Sequence, residues 1–283
     1  MHNAAIGAVT IVDLAAGHIG EAHRLSLQEA WPHRVADWEF MLGFSEGIGA
    51  LCDGKLVGTA LLTPYGATGA TCNMIIVDPS MRGIGLGRRL METVLERAGG
   101  RECRLTATAS GLPLYEKLGF AAAGEISQYQ GVVAPLVMPD GVSEAGPGDL
   151  AALIALDRAA IGLERGALLA RLAAERPFLV LRDASGLRGS VSCRAFGRGA
   201  LAGPLAARDD EAAGMLFQAA LASHAGQFLR VDLTGAGMRH RAMIAAAGLV
   251  HVGGGVAMIR PGTTRCHASG DAEIHALASQ ALC

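Results

Sequence analysis

The sequence predicts an α+β (mixed α/β) protein of two domains. Three observations support this prediction: strand-like and helix-like segments alternate in the first half, a Pro- and Gly-rich stretch interrupts the chain at Ala134–Asp149, and the second half is a faint copy of the first. A chain of 283 residues with 51% hydrophobic and 18% charged residues is long and apolar enough for two packed domains. We therefore expect domains at residues 1–134 and 135–283.

The first elements follow from apolar runs and turn residues. The run Ala8–Val12 predicts a strand, and the pattern of His18–Ala30 predicts a helix that ends before Pro32, because proline restricts the residue before it. Two apolar runs around Asp53-Gly54 predict a β-hairpin, since this dipeptide favours tight turns. The connection between that helix and the hairpin carries no element of its own in this interpretation.

The rest of the first half continues the alternation. The strand NMIIVD ends at Pro79, and the amphipathic run LGRRLMETVLERA predicts a helix that ends at Gly99-Gly100. The run CRLTATA predicts another strand. LPLYEKLGF then predicts a short helix with Gly119 at its end, and ISQYQGVV a last strand.

The evidence for a copy is a nearly constant offset between short matches. Val57-Gly58-Thr59 recurs as Arg188-Gly189-Ser190, with Gly189 placed 131 positions after Gly58. Leu118-Gly119-Phe120 recurs as Ala247-Gly248-Leu249, with an offset of 129. A third match, which begins at Asp13, again has an offset of 131. Three matches in one order indicate duplication of a whole domain.

Charge and hydropathy exclude some classes of function. The 24 basic and 26 acidic residues nearly balance, so nothing favours nucleic acid as a partner. No run of 18 apolar residues occurs, and the N-terminus lacks a basic segment followed by an apolar one. We therefore expect no membrane association and no secretory signal, and a cytoplasmic protein.

Cysteine and histidine spacing gives no indication of a metal. No two of the six cysteines form a C-x-x-C pair, and none of the nine histidines forms an H-E-x-x-H pair. We expect buried, reduced thiols and no metal ligands. Cys72 and Cys103 have no histidine suggestively placed beside them, so covalent catalysis is not favoured.

The most informative stretch is RGIGLG at Arg82–Gly87, between a predicted strand and a predicted helix. Glycine lets a ligand approach the backbone closely, and the first N–H groups of a helix have no intrahelical partner. Together with the helix dipole, these groups form a binding site for an anion such as phosphate or pyrophosphate. A glycine-rich turn without a ligand is the alternative.

The glycine spacing distinguishes between three known kinds of phosphate-binding loop. G-x-x-x-x-G-K-[ST] fails because Arg88 follows Gly87, and G-x-G-x-x-G fails because its last glycine is replaced by Arg88. R-x-x-G-x-G fits at Arg82, Gly85 and Gly87. A nicotinamide-dependent oxidoreductase is therefore disfavoured.

The motifs VDPSMRGIGLGRRL and, about 30 positions on, PLYEKLGF resemble those of the GNAT N-acetyltransferase superfamily. The resemblance covers roughly residues 8–130. The first motif is similar to the family's acetyl-CoA pyrophosphate loop, and the second to a motif whose tyrosine lies near the cofactor sulfur. Thr108 stands where many members carry asparagine. The resemblance implies two GNAT-like domains, each a mostly antiparallel twisted sheet flanked by helices, and acetyl-CoA as co-substrate.

The resemblance implies four roles in acetyl transfer, each for particular residues. Backbone amides from Gly83 to Arg88, with Arg82 nearby, would hold the pyrophosphate, and strand Ile75–Val77 would pair with the pantetheine arm. A backbone N–H near Ile76 would stabilise the thioester oxygen. Tyr115 would donate a proton to the leaving thiolate, with a core tyrosine as the alternative. The expected cofactor-binding residues are Ile75, Ile76, Val77, Arg82, Gly83, Ile84, Gly85, Leu86, Gly87 and Arg88.

The general base is left open. The stretch WPHRVADWEF offers three candidates, each of which is otherwise a surface residue or a helix cap: His33, Asp37 and Glu39. Its aromatic residues, Trp31, Trp38 and Phe40, are either walls of an acceptor pocket or ordinary core.

The second half lacks this chemistry. No R-x-x-G-x-G follows its strand ALAGPLAA; Asp209, Asp210 and Glu211 crowd the next helix start, where they would cap the helix and repel a pyrophosphate. At an offset of 129, Ile244 replaces Tyr115. We expect a degenerate GNAT-like domain that covers the acceptor site or sets acceptor choice. The C-terminal tail shows a short helical pattern near its end.

The resemblance implies an enzyme that transfers acetyl from acetyl-CoA to the amine of a small-molecule acceptor by direct attack in a ternary complex. A non-catalytic acetyl-CoA-binding or sensing module is one alternative, and acetylation of a protein or peptide amine is another. The expected partners are a small-molecule amine and no nucleic acid or membrane, with a homodimer left open.

Overall fold

The structure, a computed structural model, describes residues 8–283, and its contacts divide the chain into two units. The first unit comprises the described part of Met1–Pro64 together with Ala70–Gly99, and the second comprises Tyr65–Gly69 with Gly100–Cys283. Residues 1–7 of the predicted first domain lie outside the described part. The domain boundary near residue 134 stays a prediction. Within residues 8–283, no helix has the length and apolar character needed to span a bilayer.

The first unit is a sheet with strand order β1-β2-β3-β4 and three helices. Strands β1 and β2, and β2 and β3, pair antiparallel. The elements are β1 (Val9–Asp13), α1 (Ile19–Gln28), α2 (Val35–Leu42), β2 (Glu46–Cys52), β3 (Lys55–Tyr65), β4 (Gly69–Val77) and α3 (Leu86–Ala98).

Two local predictions for this unit are confirmed. Asp53 and Gly54 both have positive φ, of 49° and 77°, as the tight turn of the β2–β3 hairpin requires. Helix α3 covers the predicted run LGRRLMETVLERA, buries Leu90 and Val94 and ends at Gly99, whose φ is 60°.

Helix α2 was not predicted. It replaces the expected connection between α1 and the hairpin. Asp37 accepts a hydrogen bond from the backbone N–H of Arg34 (2.8 Å), which caps the start of the helix, and Trp38 and Met41 enter the core one turn apart. Only eight residues long and apolar on most sides, this helix lacks the clear 3.6-residue period that revealed α3.

The second unit holds the other nine strands of the described chain and five helices. They are β5 (Glu102–Ala107), α4 (Leu112–Lys117), β6 (Ala121–Val132), β7 (Val142–Glu144), α5 (Leu150–Ile161), α6 (Gly166–Glu175), β8 (Leu179–Asp183), β9 (Gly186–Phe196), β10 (Gly199–Ala207), α7 (Asp210–Ala222), β11 (Phe228–Leu233), α8 (Arg241–Ala246), β12 (Val250–Arg260) and β13 (Glu273–Ala276).

The sheet of the second unit mixes strands from both halves of the sequence. Its order is β5-β12-β6-β11-β13-β10-β9-β8-β7, so β12 lies between β5 and β6 and pairs antiparallel with both. Strand β6 in turn pairs antiparallel with β11. Strands β6 and β12 thus each lie beside a strand from the other half of the sequence. The mixed α/β class with a mostly antiparallel sheet is confirmed.

The element lengths repeat along the chain. β3 and β9 each have 11 residues, β4 and β10 each have nine, and α3 and α7 each have 13. Helices α4 and α8 both have six residues and start 129 positions apart, so Tyr115 and Ile244 occupy the same place in their helices. This agreement supports the duplication that the short sequence matches predict.

The C-terminal tail differs from its prediction. The helical pattern near its end was wrong, because Glu273–Ala276 form strand β13. Ile274 and Ala276 of β13 lie in the core, and the backbone of β13 pairs with β10 and β11. Strand pairing and burial outweigh the weak local preference of a four-residue segment.

Candidate functional site

The glycine loop before α3 has the backbone that an anion site needs. Gly83 and Gly85 have φ values of 80° and 84°, in the left-handed region that glycine tolerates best. A Cβ built on either glycine would meet no other described atom within 4 Å, so the loop surface is open. Among residues 8–283, no side chain caps α3, and the first helical hydrogen bond of α3 runs from the Arg89 N–H to the Gly85 carbonyl (3.1 Å). The N–H groups before Arg89 remain for a ligand.

The charges around this loop are partly compensated within the first unit. The Arg82 guanidinium pairs with Glu29 and also donates to the Val77 carbonyl (3.2 Å). Arg88 lies 3.5 Å from Glu92 on the same helix, and both side chains are about half exposed. Such exposed pairs are weak, so a phosphate can compete for either guanidinium.

The predicted pantetheine strand follows a backbone irregularity. Met74 in β4 has a φ of 50°, which is uncommon for a residue other than glycine, and its carbonyl accepts a hydrogen bond from Thr59 Oγ1 (2.8 Å). The irregularity immediately precedes Ile75–Val77. Of these three residues Ile76 is buried, and its two neighbours are half-buried.

Tyr115 lies in the second unit, on helix α4. Its side chain is buried and makes an edge-to-face contact with Phe120 at 6.1 Å between ring centroids. A Cβ built on Gly111 would lie 2.8 Å from Tyr115 Cε2, so the missing side chain at position 111 makes room for this ring. Thr108 accepts a hydrogen bond from the Gly111 N–H through its hydroxyl (3.3 Å) and so begins the turn that carries Tyr115. The catalytic role of Tyr115 stays a prediction.

The three candidates for the general base lie on or just before α2, and each has a different environment. Asp37 is buried and forms a salt bridge with Arg34 (2.7 Å), which gives it a capping role. Glu39 is exposed on α2, and the His33 carbonyl contacts His23 Nε2 (2.9 Å). Trp38 is fully buried and donates to Ser26 Oγ (3.2 Å), as a core residue does.

The corresponding helix start in the second half, at α7, is closed by side chains. Asp209 accepts a hydrogen bond from the Ala212 N–H (2.8 Å), which confirms the predicted cap. Arg188 pairs with both Asp209 and Glu211, each at 2.9 Å. The hydrogen bonds to Glu211 and Asp209 hold the pKa of the Arg188 guanidinium above its usual range. The α7 start therefore presents carboxylates where α3 presents open N–H groups.

Strand β13 also fills a gap in the second unit's sheet. β10 and β11 pair directly only through Ala200–Ala202 and Leu229–Val231, and then separate. β13 enters the space between them: the Leu277 N–H donates to the Asp232 carbonyl (2.9 Å) and the Thr234 N–H to the His275 carbonyl (3.1 Å). A Cβ at Gly203 would lie 1.9 Å from the Leu277 carbonyl oxygen, so only glycine permits this approach.

A cavity of about 510 Å³ also lies within the second unit. Strands β5, β6 and β12 line it together with part of the tail, and the lining is mostly apolar apart from side chains such as Arg104 and Glu125. None of the predicted site residues lines it.

One group of polar residues was missed by sequence reasoning. Asp210 on α7, His240 before α8 and His275 on β13 come together, with one ligand-type atom of each within 4.8 Å of the others. His275 is fully buried, and neither of its ring nitrogens has a hydrogen-bond partner among the described residues. The three lie 30 and 35 positions apart, so no local spacing could have revealed them.

The buried histidine predicts a pH-dependent stability. Burial, followed by the neighbouring His240, lowers the pKa of His275 from 6.5 to about 4. Below pH 6.5 the unfolded chain binds a proton that the folded chain excludes, so the free energy of unfolding falls as the pH drops from about 6.5 to about 4. The slope is at most about 1.4 kcal/mol per pH unit. Urea titrations in EDTA measure it. His275→Phe, which cannot titrate, should flatten the profile, and an unchanged profile would contradict this origin.

The comparisons with known proteins agree with the two-domain organisation. Family models of the Acetyltransferase (GNAT) domain match residues 45–122 and residues 153–271, together more than half of the chain. Against solved structures, the chain aligns over 100% of its length with 99% of a protein from Pyrococcus horikoshii assigned as an acetyltransferase (17% identity, TM-score 0.81). It also aligns over 89% of its length with 98% of a tandem GNAT protein from the clavulanic acid biosynthesis pathway (18% identity, TM-score 0.61).

Three curated relatives align with less than half of the chain. They are the uncharacterized N-acetyltransferase YitH of Bacillus subtilis (31% identity, 42% of this chain and 43% of the relative), the N-alpha-acetyltransferase RimI of Mycobacterium tuberculosis (32%, 44% and 82%) and the glucosamine 6-phosphate N-acetyltransferase of Trypanosoma brucei brucei (34%, 38% and 78%). The alignment thus spans less than half of YitH. With two matched domains and full-length likeness in fold, the chain belongs to the GNAT family of acetyltransferases, as a member with two such domains in tandem.

Proposed function

We propose that this protein is an N-acetyltransferase that transfers an acetyl group from acetyl-CoA to the amine of a small molecule, with one cofactor per chain. The observation that carries the proposal is the loop at Arg82–Arg88. Its left-handed glycines are open on their outer side, and it leads into a helix that no side chain of the described residues caps. Such a helix start binds a pyrophosphate through backbone N–H groups.

The second half of the chain supports the proposal of one cofactor per chain. The carboxylates of Asp209 and Glu211 occupy the start of α7, and the single guanidinium of Arg188 offsets only part of their charge, so a pyrophosphate there would meet negative charge. Strand β13 uses the hydrogen-bonding groups of β10 and β11 where these strands separate. Neither the start of α7 nor this gap is available to a cofactor in the described structure.

Acetyl transfer requires four functions of the residues in this chain. Acetyl-CoA supplies an activated thioester, which an amine attacks directly. The N–H groups of residues 83–88 hold the pyrophosphate, and the backbone of Ile75–Val77 orients the arm that leads to the thioester. A backbone N–H near Ile76 stabilises the negative charge that develops on the carbonyl oxygen. Tyr115 donates a proton to the departing sulfur; this role rests on the motif PLYEKLGF.

The surroundings of the three candidate residues bear on which of them acts as the general base. Asp37 is buried in its pair with Arg34 and caps α2, which makes it the least suited of the three candidates to act as the base. His33 and Glu39 remain candidates. An amine whose own pKa is near neutrality also loses its proton to water without a dedicated base.

Composition and the names of two relatives bear on the choice of acceptor class. The name of the glucosamine 6-phosphate N-acetyltransferase specifies a small-molecule amine as acceptor. The name of the N-alpha-acetyltransferase RimI specifies an α-amino group. With 24 basic and 26 acidic residues, the chain shows no strong charge bias of the kind that steers a protein tail. We therefore favour a small-molecule amine and keep a peptide amine as the second candidate.

An acceptor screen tests the proposal. Small amines, including amino sugars and their phosphates, and peptides with free N-termini are incubated with acetyl-CoA, and CoA release is measured by chromatography. A thiol reagent is unsuitable because Cys52, Cys266 and Cys283 are partly exposed. We expect turnover with small amines. Turnover with peptides alone would replace the acceptor class, and acetyl-CoA binding with no turnover on any acceptor would favour the sensing module.

Tyr115→Phe tests the proton donor. We expect kcat to fall by about 100-fold, with the Kd for acetyl-CoA changed less than about twofold, since loss of a general acid slows chemistry rather than binding. The control is Tyr129→Phe, which removes a hydroxyl from another buried tyrosine, on β6. An unchanged kcat in Tyr115→Phe, or an equal loss in both variants, would remove the assigned role.

A further inference from the structure

The cluster of Asp210, His240 and His275 combines ligand chemistry with unsatisfied polar atoms. Three nitrogens in it have no hydrogen-bond partner among the described residues: His240 Nε2 and both ring nitrogens of His275. A buried polar atom without a partner costs roughly 1–3 kcal/mol, so folded chains rarely leave several together. A shared ligand would satisfy them.

The geometry and the side-chain types of this cluster favour binding of a cation over binding of an anion. His240 Nε2 lies 3.9 Å from Asp210 Oδ1, and the two imidazole rings lie 5.6 Å apart between centroids. The ring nitrogens of both histidines that have no partner in the described chain lie buried beside the Asp210 carboxylate, and an imidazole nitrogen is a common ligand of a metal ion. Two imidazoles and one carboxylate suit Zn²⁺ and similar divalent transition metals.

The residues around the cluster leave one side open to solvent, and two further charged side chains contact or lie near the Asp210 carboxylate. Asp210 is 53% exposed, so an ion and a completing water reach the cluster from there. Arg239 donates to Asp210 Oδ1 (2.7 Å) and pairs with Glu273 (2.5 Å). The guanidinium holds the Asp210 carboxylate in place, and Glu273 offsets its positive charge, as outer partners do at metal sites.

We propose that Asp210, His240 and His275 bind one divalent transition-metal ion, of which Zn²⁺ is the expected occupant, and that this ion fastens the C-terminal strand β13 to α7 and the start of α8. The three ligands come from three elements, and His275 lies on the strand that fills the gap between β10 and β11. Three protein ligands and one water give the four-coordinate geometry of zinc. The role of the ion is structural.

The alternative is that the rings only pack together. His240 contacts the Phe217 ring at 5.3 Å between centroids, as an apolar side chain would. Packing and coordination differ in what they require of Asp210, because packing of the rings does not need its carboxylate.

The test is Zn²⁺ titration of the full-length chain by calorimetry, after metal removal with a chelator and with a reductant present. We expect one ion per chain, and binding at least about tenfold weaker in Asp210→Asn and in His240→Gln. The matched control is Glu211→Gln, which removes the neighbouring carboxylate of the same helix turn and should leave the Kd within about twofold. A second probe is Co²⁺, whose absorption spectrum separates nitrogen and oxygen ligands from cysteine sulfur.

Three results would overturn the proposal. The first is the absence of Zn²⁺ binding, and the second is equal Zn²⁺ affinity in Asp210→Asn and Glu211→Gln. The third is a cobalt spectrum with sulfur bands, which would assign the ion to free cysteines instead. Protection of the tail from proteolysis provides a further check. Zn²⁺ should slow cleavage within residues 261–272 of the parent chain and leave the cleavage rate of Asp210→Asn unchanged.

Discussion

Gly85→Val is expected to weaken acetyl-CoA binding by about tenfold or more while leaving the fold of the chain intact. Gly85 has a φ of 84° and a ψ of 5° at the N-cap of α3. A β-branched residue is strained there, by about 1–2 kcal/mol, and relief of that strain moves the N–H groups that follow. The added methyl groups also stand on the surface that a pyrophosphate must approach, because the space beside this glycine is open.

The matched control for this variant is Gly226→Val. Gly226 has a similar φ of 76°, also has open space beside it, and belongs to a turn of the second unit rather than to the α3 loop. The two variants therefore carry similar backbone strain, and only one of them alters the α3 loop. Calorimetric titration with acetyl-CoA compares them. Equal Kd values in both variants would show that the loop does not hold the cofactor.

The α3 loop was predictable because its signal is local. Arg82, Gly85 and Gly87 form a fixed spacing directly after a strand, and a helix with a clear apolar face follows. The structure adds two facts that spacing does not contain: the left-handed φ values, and the pairing of Arg82 with Glu29 from 53 residues earlier. A salt bridge between distant segments has no signature in a single sequence.

The features that sequence reasoning missed depend on pairing over long separations. β12 reaches β5 and β6 across more than 100 residues, and β13 lies between β10 and β11 although its four residues have no distinct pattern. Strand partners are chosen by the whole sheet and not by the segment itself. The same reason hid the cluster of Asp210, His240 and His275, whose members meet only because β13 takes that place.

The second large effect is expected at a buried ion pair. The Arg165 side chain is fully buried, and its pair with Asp157 has two contacts, from Nε to Oδ2 (3.0 Å) and from Nη2 to Oδ1 (2.5 Å). Nη1 of Arg165 also donates to the carbonyl of Leu282 (3.1 Å) and to that of Cys283. Burial opposes the charge of Arg165, yet the Asp157 carboxylate raises the pKa of the guanidinium above its usual value.

Arg165→Met is therefore expected to lower the free energy of unfolding by about 3–5 kcal/mol, since it leaves the Asp157 carboxylate buried without its partner. This is a large part of the stability of an ordinary domain. The double variant Asp157→Leu with Arg165→Met should recover much of the loss, because no unpaired charge remains. Urea unfolding followed by circular dichroism measures all three free energies.

The control for the buried pair is Arg158→Met, on helix α5, which also carries Asp157. Arg158 forms an exposed pair with Glu164 (3.3 Å), and such pairs contribute only about 0–1 kcal/mol. A loss in Arg165→Met no larger than in Arg158→Met would contradict the expectation. Because Arg165 holds the last two carbonyls of the chain, its loss should also free the tail, so faster proteolysis of residues 277–283 in Arg165→Met would tie the lost stability to this anchor.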